Sequence, residues 1–264
     1  MFPILFELGP VKFYTFTIFL ILAFFASTYV FWRKGREEHY QEDELFDAFL
    51  QALFWGVLWS RIGFVALHLD AFGLQPLNWI NVIDLPGYST LFGLIAAAWS
   101  LYKSAKSQKW DEYEVLDFGV IAVTLATAIL WLGSFFSGAD FGTPTSLPWG
   151  VQFPNVFDKR HPLQLYGFLA YLLAFLYLFW AESRYRTFSW YRARKDSAQS
   201  GFLFCAFCIF WGVIGTVLWF FSPTKVFYFG VPVEQVIRIF IVFFGAVKMF
   251  HRSGRSFSFK KAKK

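Results

Sequence analysis

Seven apolar runs, at 11–32, 46–68, 87–103, 116–136, 162–182, 201–222 and 231–250, are separated by short polar segments. A helix rises 1.5 Å per residue, so about 20 apolar residues cross the roughly 30 Å hydrocarbon core of a bilayer. Each run therefore predicts a transmembrane helix, with ends softened where a glycine or a single charge interrupts it. The pattern predicts an all-α, polytopic integral membrane protein of about seven helices in one transmembrane domain, 1–264. The first run is followed, not preceded, by Arg33, Lys34 and Arg36. It reads as a first span and not as a cleavable signal peptide, whose apolar core is shorter and follows basic residues.

The polar segments alternate in charge. Segments 33–45, 103–115, 183–200 and the tail from Lys248 hold 18 of the 24 Lys and Arg. The other side holds Lys12, Lys159, Arg160 and Lys225, and two arginines, Arg61 and Arg238, fall inside apolar runs. Basic loops stay in the cytoplasm, which predicts the N-terminus outside and the C-terminus inside. The basic segment 251–264 is expected at the anionic cytoplasmic leaflet, where it is attracted to membrane lipids.

Composition narrows the class. Hydrophobic residues make up 57% of the chain and charged residues 16%, with 38 Phe and 12 Trp, so lipid is the expected solvent for much of it. The net charge of +6 is confined to short blocks between spans, which argues against nucleic acid as a partner. Cys205 and Cys208 lie three apart within an apolar run, as a packed pair of small residues or as a C-x-x-C site. Four scattered histidines and these cysteines form no ligand cluster, so no metal or cofactor is implied.

Charges inside a bilayer are costly, and each is a candidate for function. Arg61 falls late in the second run, Glu234 and Arg238 early in the seventh, and Ser134, Ser137 and Asp140 at the end of the fourth. The loop that follows ends in Arg160 and His161. In the expected topology all these groups sit in the outer half of the membrane. One reading is a polar cavity open to the outer leaflet, where arginines match a phosphate bidentately and a lipid headgroup supplies that phosphate. The other is structural: Glu234 and Arg238 neutralise each other at i, i+4, and Arg61 snorkels or caps backbone carbonyls.

The outer loop 137–161 carries a more specific pattern. Gly142-Thr-Pro-Thr-Ser-Leu-Pro-Trp-Gly-Val-Gln-Phe-Pro154, followed by Arg160-His-Pro-Leu-Gln-Leu-Tyr166, resembles the signature region of prolipoprotein diacylglyceryl transferases. The resemblance extends to Phe6-Glu-Leu-Gly-Pro-Val11, Arg61-Ile-Gly63, Gly93-Leu-Ile95, Asp117-Phe118 and Gln235, in family order along almost the whole chain. It implies a bacterial enzyme of the plasma (inner) membrane. Such enzymes move the diacylglyceryl group of phosphatidylglycerol onto the cysteine thiol of a lipoprotein precursor, its lipobox cysteine, in lipoprotein biosynthesis. Taken with the polar groups placed in the outer half of the membrane, it gives as candidate phospholipid-binding residues Arg61, Arg238, Ser134, Ser137, Arg160, Gln164, Tyr166 and Gln235.

Several positions depart from the family. Leu91 and Phe92 stand where a histidine and an additional glycine are expected. Trp131 replaces an arginine, and Ser134, Ser137 and Ala139 follow where asparagines and a glutamate are usual. Trp211 and Gly215 align with a tyrosine and an arginine considered central to catalysis. Phe16 replaces a tyrosine, Gly167 an acid, and Arg238 a small polar residue. The reaction needs a thiolate, and a free cysteine with a pKa of about 8.5 is mostly protonated at neutral pH, so a base or nearby cation is required. It also needs cationic donors on the departing phosphate.

Two readings follow. In one the site is rebuilt, with Arg238 and Arg61 on the phosphate and His161 or Glu234 as base. In the other the chain is a catalytically silent homologue that binds phospholipid or lipoprotein precursor. A small transporter or membrane scaffold is a third class. It fits less well, because transporter polar groups sit near the bilayer midplane on broken helices.

Overall fold

The computed structural model describes residues 2–9, 11–73, 75–82, 84–154, 156–185, 199–223, 225, 227 and 230–252. Most of the basic tail 251–264, and residues 186–198 of the third basic segment, lie outside the described residues. Long helices form at all seven apolar runs: α1 (Thr15–Glu37), α2 (Glu42–Leu67), α5 (Thr90–Ser107), α6 (Glu112–Ser137), α7 (Leu163–Tyr185), α8 (Phe202–Phe221) and α9 (Val233–Arg252). Two short helices, α3 (Leu69–Phe72) and α4 (Pro76–Ile80), lie between α2 and α5.

Among the described residues, five helices are long and apolar enough to cross a membrane: α1, α2, α6, α7 and α8. The other two long helices are more polar. Lys103 and Lys106 fall in the last turns of α5, and Glu234, Arg238, Lys248 and Arg252 punctuate α9.

The fold is not purely helical. The strands β1 (Ile4–Leu8) and β2 (Val11–Tyr14) form an antiparallel pair in which Leu8 faces Val11 and Ile4 faces Tyr14. Gly9, at φ 60°, makes the turn in the left-handed region that glycine tolerates. The strands β3 (Val151–Gln152) and β4 (Lys159–Arg160) form a second small pair inside the outer loop.

The chain forms two compact units, one of residues 1–30 and 120–264 and the other of residues 31–119. The second unit centres on the antiparallel pair α2 and α5. Gly56 and Ser60 on α2 face Gly93 and Ala97 on α5, so closely that a Cβ on Gly93 would stand 3.0 Å from the Ser60 Cβ and 3.2 Å from the Gly56 carbonyl oxygen. Small residues four apart let two backbones approach, as helices packing in lipid require. The helix starts are matched to their dipoles: Glu42, Asp43 and Glu44 open α2. At α6 the Asp111 carboxylate accepts from the Tyr113 and Glu114 amides at 3.0 and 3.2 Å. Tyr40, stacked on Trp110, donates to the Glu114 carboxylate at 2.5 Å.

In the first unit, α8 and α9 lie antiparallel along a seam of small residues. Gly245 meets the Cys205 carbonyl and the Cys208 Cβ, and Gly212 meets Val242 and the Arg238 carbonyl. Both cysteines are buried, form no disulfide among the described residues, and serve this seam as small apolar residues. The buried stripe of α7 runs through Gln164, Tyr171, Ala174, Leu178 and Ala181, at helical spacing.

Candidate functional site

The signature loop is built on the end of α8. The Thr143 amide donates to the Phe221 carbonyl at 2.8 Å, Gly142 donates to His161 at 2.9 Å, and His161 donates back to Thr143 at 3.1 Å. A side chain at Gly142 would collide with this arrangement, its Cβ 2.8 Å from the His161 Cβ and 3.0 Å from the Phe221 carbonyl oxygen. The glycine is needed for close approach.

This backbone holds a polar cluster. Trp149 Nε1 donates to the Tyr166 hydroxyl at 2.9 Å, and that hydroxyl lies 3.2 Å from His161 Nδ1. The His161 ring also packs on Phe221, with centroids 5.0 Å apart. Where the phenol donates to Nδ1, the imidazole proton resides on Nε2; where Nδ1–H donates to the phenol, Nε2 is left as a bare base. Arg160 lies over the Phe141 ring at 5.1 Å and reaches the Gly142 carbonyl at 3.5 Å, while its Nε is buried without a partner.

Gln164, fully buried at the start of α7, donates its amide to the Ala139 carbonyl, leaving its Oε1 without a partner. Gln235 on α9 is buried, and among the described residues neither of its amide atoms has a partner. A buried amide left without a partner is costly. Ser134 is buried, and its carbonyl accepts the Ser137 hydroxyl at 2.9 Å and the Gly138 amide at 3.0 Å, so these two serines finish α6.

Arg238 projects from α9 onto α8. Its Nη1 donates to the Gly215 carbonyl at 3.1 Å and its Nη2 to Glu234 at 3.2 Å, and its guanidinium lies 5.8 Å from the Trp211 ring centroid. A Cβ on Gly215 would stand 3.1 Å from Arg238 Nε and 3.4 Å from Cζ. The guanidinium thus occupies space beside residue 215, the position at which the resemblance implies an arginine. Tyr171 on α7 is buried within electrostatic range of Arg238. By helical rise, Gly215 lies about 9 Å along α8 from Phe221, where His161 packs.

The other departures are filled by apolar contact. Trp131 lies on Gly167, where a Cβ would meet the indole at 2.4 Å. The two positions at which an arginine and an acid are implied therefore face each other as indole and glycine. Leu91 is buried and carries no titratable group, and Phe92 covers Gly63, whose Cβ would meet that ring at 2.3 Å.

Arg61 belongs to the second unit and has a different environment. Its Nε, Nη1 and Nη2 donate to the carbonyls of Trp79, Gly87 and Asn81 at 2.8, 2.9 and 2.9 Å. The guanidinium lies 5.0 Å from the Phe72 ring centroid. It ties the segment that contains α3 and α4 back to α2, as a carbonyl cap would.

The sequence-derived site residues therefore fall into four groups. Arg160, His161, Gln164 and Tyr166 gather at the signature loop; Glu234, Gln235 and Arg238 gather on α9; Ser134 and Ser137 close α6; Arg61 caps a loop in the other unit. Two participants escaped the sequence reading. Trp149 was quoted only as part of a motif, although its indole N–H orients Tyr166. Tyr171 lay on the same helical stripe as Gln164 and Gly167, at i+7 and i+4, and that periodicity was the available signal.

Five helices long and apolar enough to cross a membrane, among the described residues, indicate a multi-pass membrane protein. A sequence model of the prolipoprotein diacylglyceryl transferase family matches residues 3–251, nearly the whole chain, and the chain belongs to that family. It is 28% identical over 225 residues to a phosphatidylglycerol–prolipoprotein diacylglyceryl transferase of Clostridium tetani, covering 80% of this chain and 81% of that protein. Proteins of the same name from Coxiella burnetii (strain RSA 331 / Henzerling II) and Legionella pneumophila (strain Paris) are similar. The first is 27% identical over 210 residues, 77% of each chain, and the second 29% over 186 residues, 67% of this chain and 71% of the relative.

Proposed function

We propose that this chain is a phosphatidylglycerol–prolipoprotein diacylglyceryl transferase whose phosphate-binding arginine is supplied by α9. The observation that carries the reading is the Arg238 guanidinium packed beside Gly215. The chain has lost the arginine implied at 215 and gained one at 238, and the two changes meet in space. The charge that a leaving phosphate requires is retained within the α8–α9 pair.

The chemistry assigns each group a task. The acceptor cysteine sulfur attacks the glyceryl carbon of the donor lipid, a C–S bond forms, and the C–O bond to phosphate breaks. Glycerol phosphate leaves with the electron pair, and the thiol proton passes to a base. Arg238 stabilises the departing phosphate, and Glu234 holds the guanidinium in place while offering one acceptor on its own helix turn. His161, aligned by Tyr166 and Trp149, takes the proton at Nε2 in the tautomer where Nδ1–H points to the phenol. Gln235 and Gln164, with unpartnered amide atoms, offer hydrogen bonds to the headgroup or the precursor backbone. In this reading the chain lies in the plasma (inner) membrane with seven spans, the N-terminus outside and the C-terminus in the cytoplasm.

The alternative, a silent homologue that binds phospholipid or lipoprotein precursor, has its own support. Arg238 already pairs with Glu234, and Leu91 and Trp131 put apolar groups where a base and a cation are implied. One assay separates the two. The purified protein in phosphatidylglycerol vesicles, with a lipobox peptide, is followed for diacylglyceryl mass gain on the cysteine and for glycerol phosphate release. The Clostridium tetani relative serves as control. Both products, lost in Arg238→Ala, support the transferase; neither product while the control turns over supports the silent homologue.

A further inference from the structure

The pair α2 and α5 carries a second feature, built wholly from the second unit and from none of the candidate site residues. Beside the Gly56–Gly93 contact the two helices leave a cleft of about 850 Å³. Its walls change character along its length. At one end Trp55, Trp59, Phe92 and Ile95 line it; at the other stand Gln51, Ser104, Ser107, Lys103 and Lys106. The helices are antiparallel, so Gln51 meets Ser104, with the hydroxyl donating to the amide oxygen at 3.3 Å. From Phe92 to Ser107 the cleft extends about 22 Å by helical rise.

Its apolar wall is open. Trp55, Trp59, Trp99 and Ile95 are 44, 46, 59 and 56% exposed, on helices that otherwise pack tightly through glycines. Lys103 lies with its Nζ 5.4 Å from the Trp99 ring centroid, at the boundary between the two halves. Among the described residues no acid pairs with Lys103 or Lys106. A cleft with an aromatic wall, about 10 Å long from Phe92 to Trp99 by helical rise, and a doubly cationic, hydroxyl-lined mouth is complementary to the upper part of an acyl chain and the headgroup above it. The aromatic wall matches a hydrocarbon chain, and the mouth matches a phosphate with hydrogen-bonding oxygens.

We propose that the α2–α5 cleft binds an anionic glycerophospholipid, with one acyl chain along Trp55, Trp59 and Ile95 and the phosphate at Lys103, Lys106 and Ser104. The bound lipid covers aromatic surface that the two helices leave open, and it neutralises a pair of lysines at the mouth. The site is a lipid clamp on the second unit and takes no part in the transfer reaction.

The test uses quenching of tryptophan fluorescence by brominated acyl chains. The full chain is reconstituted in phosphatidylcholine vesicles carrying increasing brominated phosphatidylglycerol, or brominated phosphatidylcholine for comparison. The proposal expects saturable quenching by the anionic lipid at low mole fraction. Lys103→Gln/Lys106→Gln should raise the half-saturating fraction roughly tenfold or more, given about 1 kcal/mol per basic residue at a membrane surface. Ala96→Phe, which narrows the cleft without changing charge, should do the same. Lys109→Gln/Lys248→Gln, a charge-matched change outside the cleft, should leave the curve in place. Equal quenching by the two lipids, or equal loss in both lysine pairs, overturns the proposal. Because Trp211 and Arg238 belong to the transfer site, the same titration is run on Trp55→Phe/Trp59→Phe/Trp99→Phe; the quenching lost in that variant reports the cleft alone, so failure of either reading is visible separately.

Discussion

The indole of Trp131 rests on the backbone of Gly167, with room for no side chain between them: a Cβ there would lie 2.4 Å from Cδ2 and 2.7 Å from Cε2 of the ring. An indole on a glycine replaces the charged pair that the family resemblance implies at these positions. The two helices α6 and α7 are joined at this point by shape alone.

Gly167→Ala should therefore destabilise the protein, against the usual preference for alanine in a helix. The gain in helix propensity is about 1 kcal/mol, whereas overpacking against a rigid ring costs about 1–3 kcal/mol. A lower thermal midpoint in detergent is expected, restored when Trp131→Leu is added. An unchanged midpoint in the single variant would remove the contact from the account.

Moving the guanidinium back to α8 tests the relocated arginine. Arg238→Ala should lower transfer by about 10²–10³, the range for losing one charge-stabilising donor. Gly215→Arg alone places two guanidinium groups in one space and should be poorly active. Combined with Arg238→Ser it should recover most of the turnover, read as glycerol phosphate release. No recovery in the double variant would mean that position 215 and position 238 are not interchangeable sources of charge.

Arg61 is expected to act on the loop between α2 and α5. Arg61→Lys keeps the charge but cannot reach three carbonyls from a single ammonium. Hydrogen bonds from a charged donor are worth about 1.5–3 kcal/mol each, so the segment 69–88 should become protease-sensitive while α2 and α5 remain intact. If Arg61→Lys abolishes lipid binding and leaves the loop protected, its place is with the phosphate instead.

Tyr40 gives a pH signature outside the spans. Burial, and then the hydrogen bond to Glu114, push its phenol well above the ordinary 10.0. The folded state thus favours the neutral phenol, so this contribution is fully present below pH 10 and is lost as pH rises beyond it. Thermal midpoints measured from pH 9 to 11.5 should fall more steeply in the wild type than in Tyr40→Phe. Parallel curves would show that the Tyr40 proton is not coupled to folding.

The seven long helices were legible because each is a run of apolar residues long enough to register at helical rise. Their ends moved by a few residues where the amphipathic flanks, such as Glu42–Glu44, extend a helix beyond its apolar part. The β1–β2 pair was not legible. Val11–Tyr14 is apolar and continuous with α1, so hydropathy merges a short strand with the helix that follows. The helices α3 and α4 are four and five residues long and leave no periodic signal.

At the site, the motif residues were legible individually, but their pairings were not. Nothing in the spacing of Gly215 and Arg238, or of Trp131 and Gly167, says that the members meet. Those contacts depend on helix register, which only the packed structure supplies. Arg61 was legible as a buried charge with two readings open, and its three carbonyl partners lie in a segment without a sequence pattern of its own.

The cysteines of the α8–α9 seam have a consequence for the proposed transfer to a thiol. Cys205 and Cys208 are the only two in the sequence, and at 4 and 8% exposure each is sealed behind the next helix. In the proposed transfer reaction neither buried thiol would compete with the acceptor cysteine. The same seclusion makes the protein a quiet background: a thiol-reactive dye added to native protein and peptide together counts the acceptor alone.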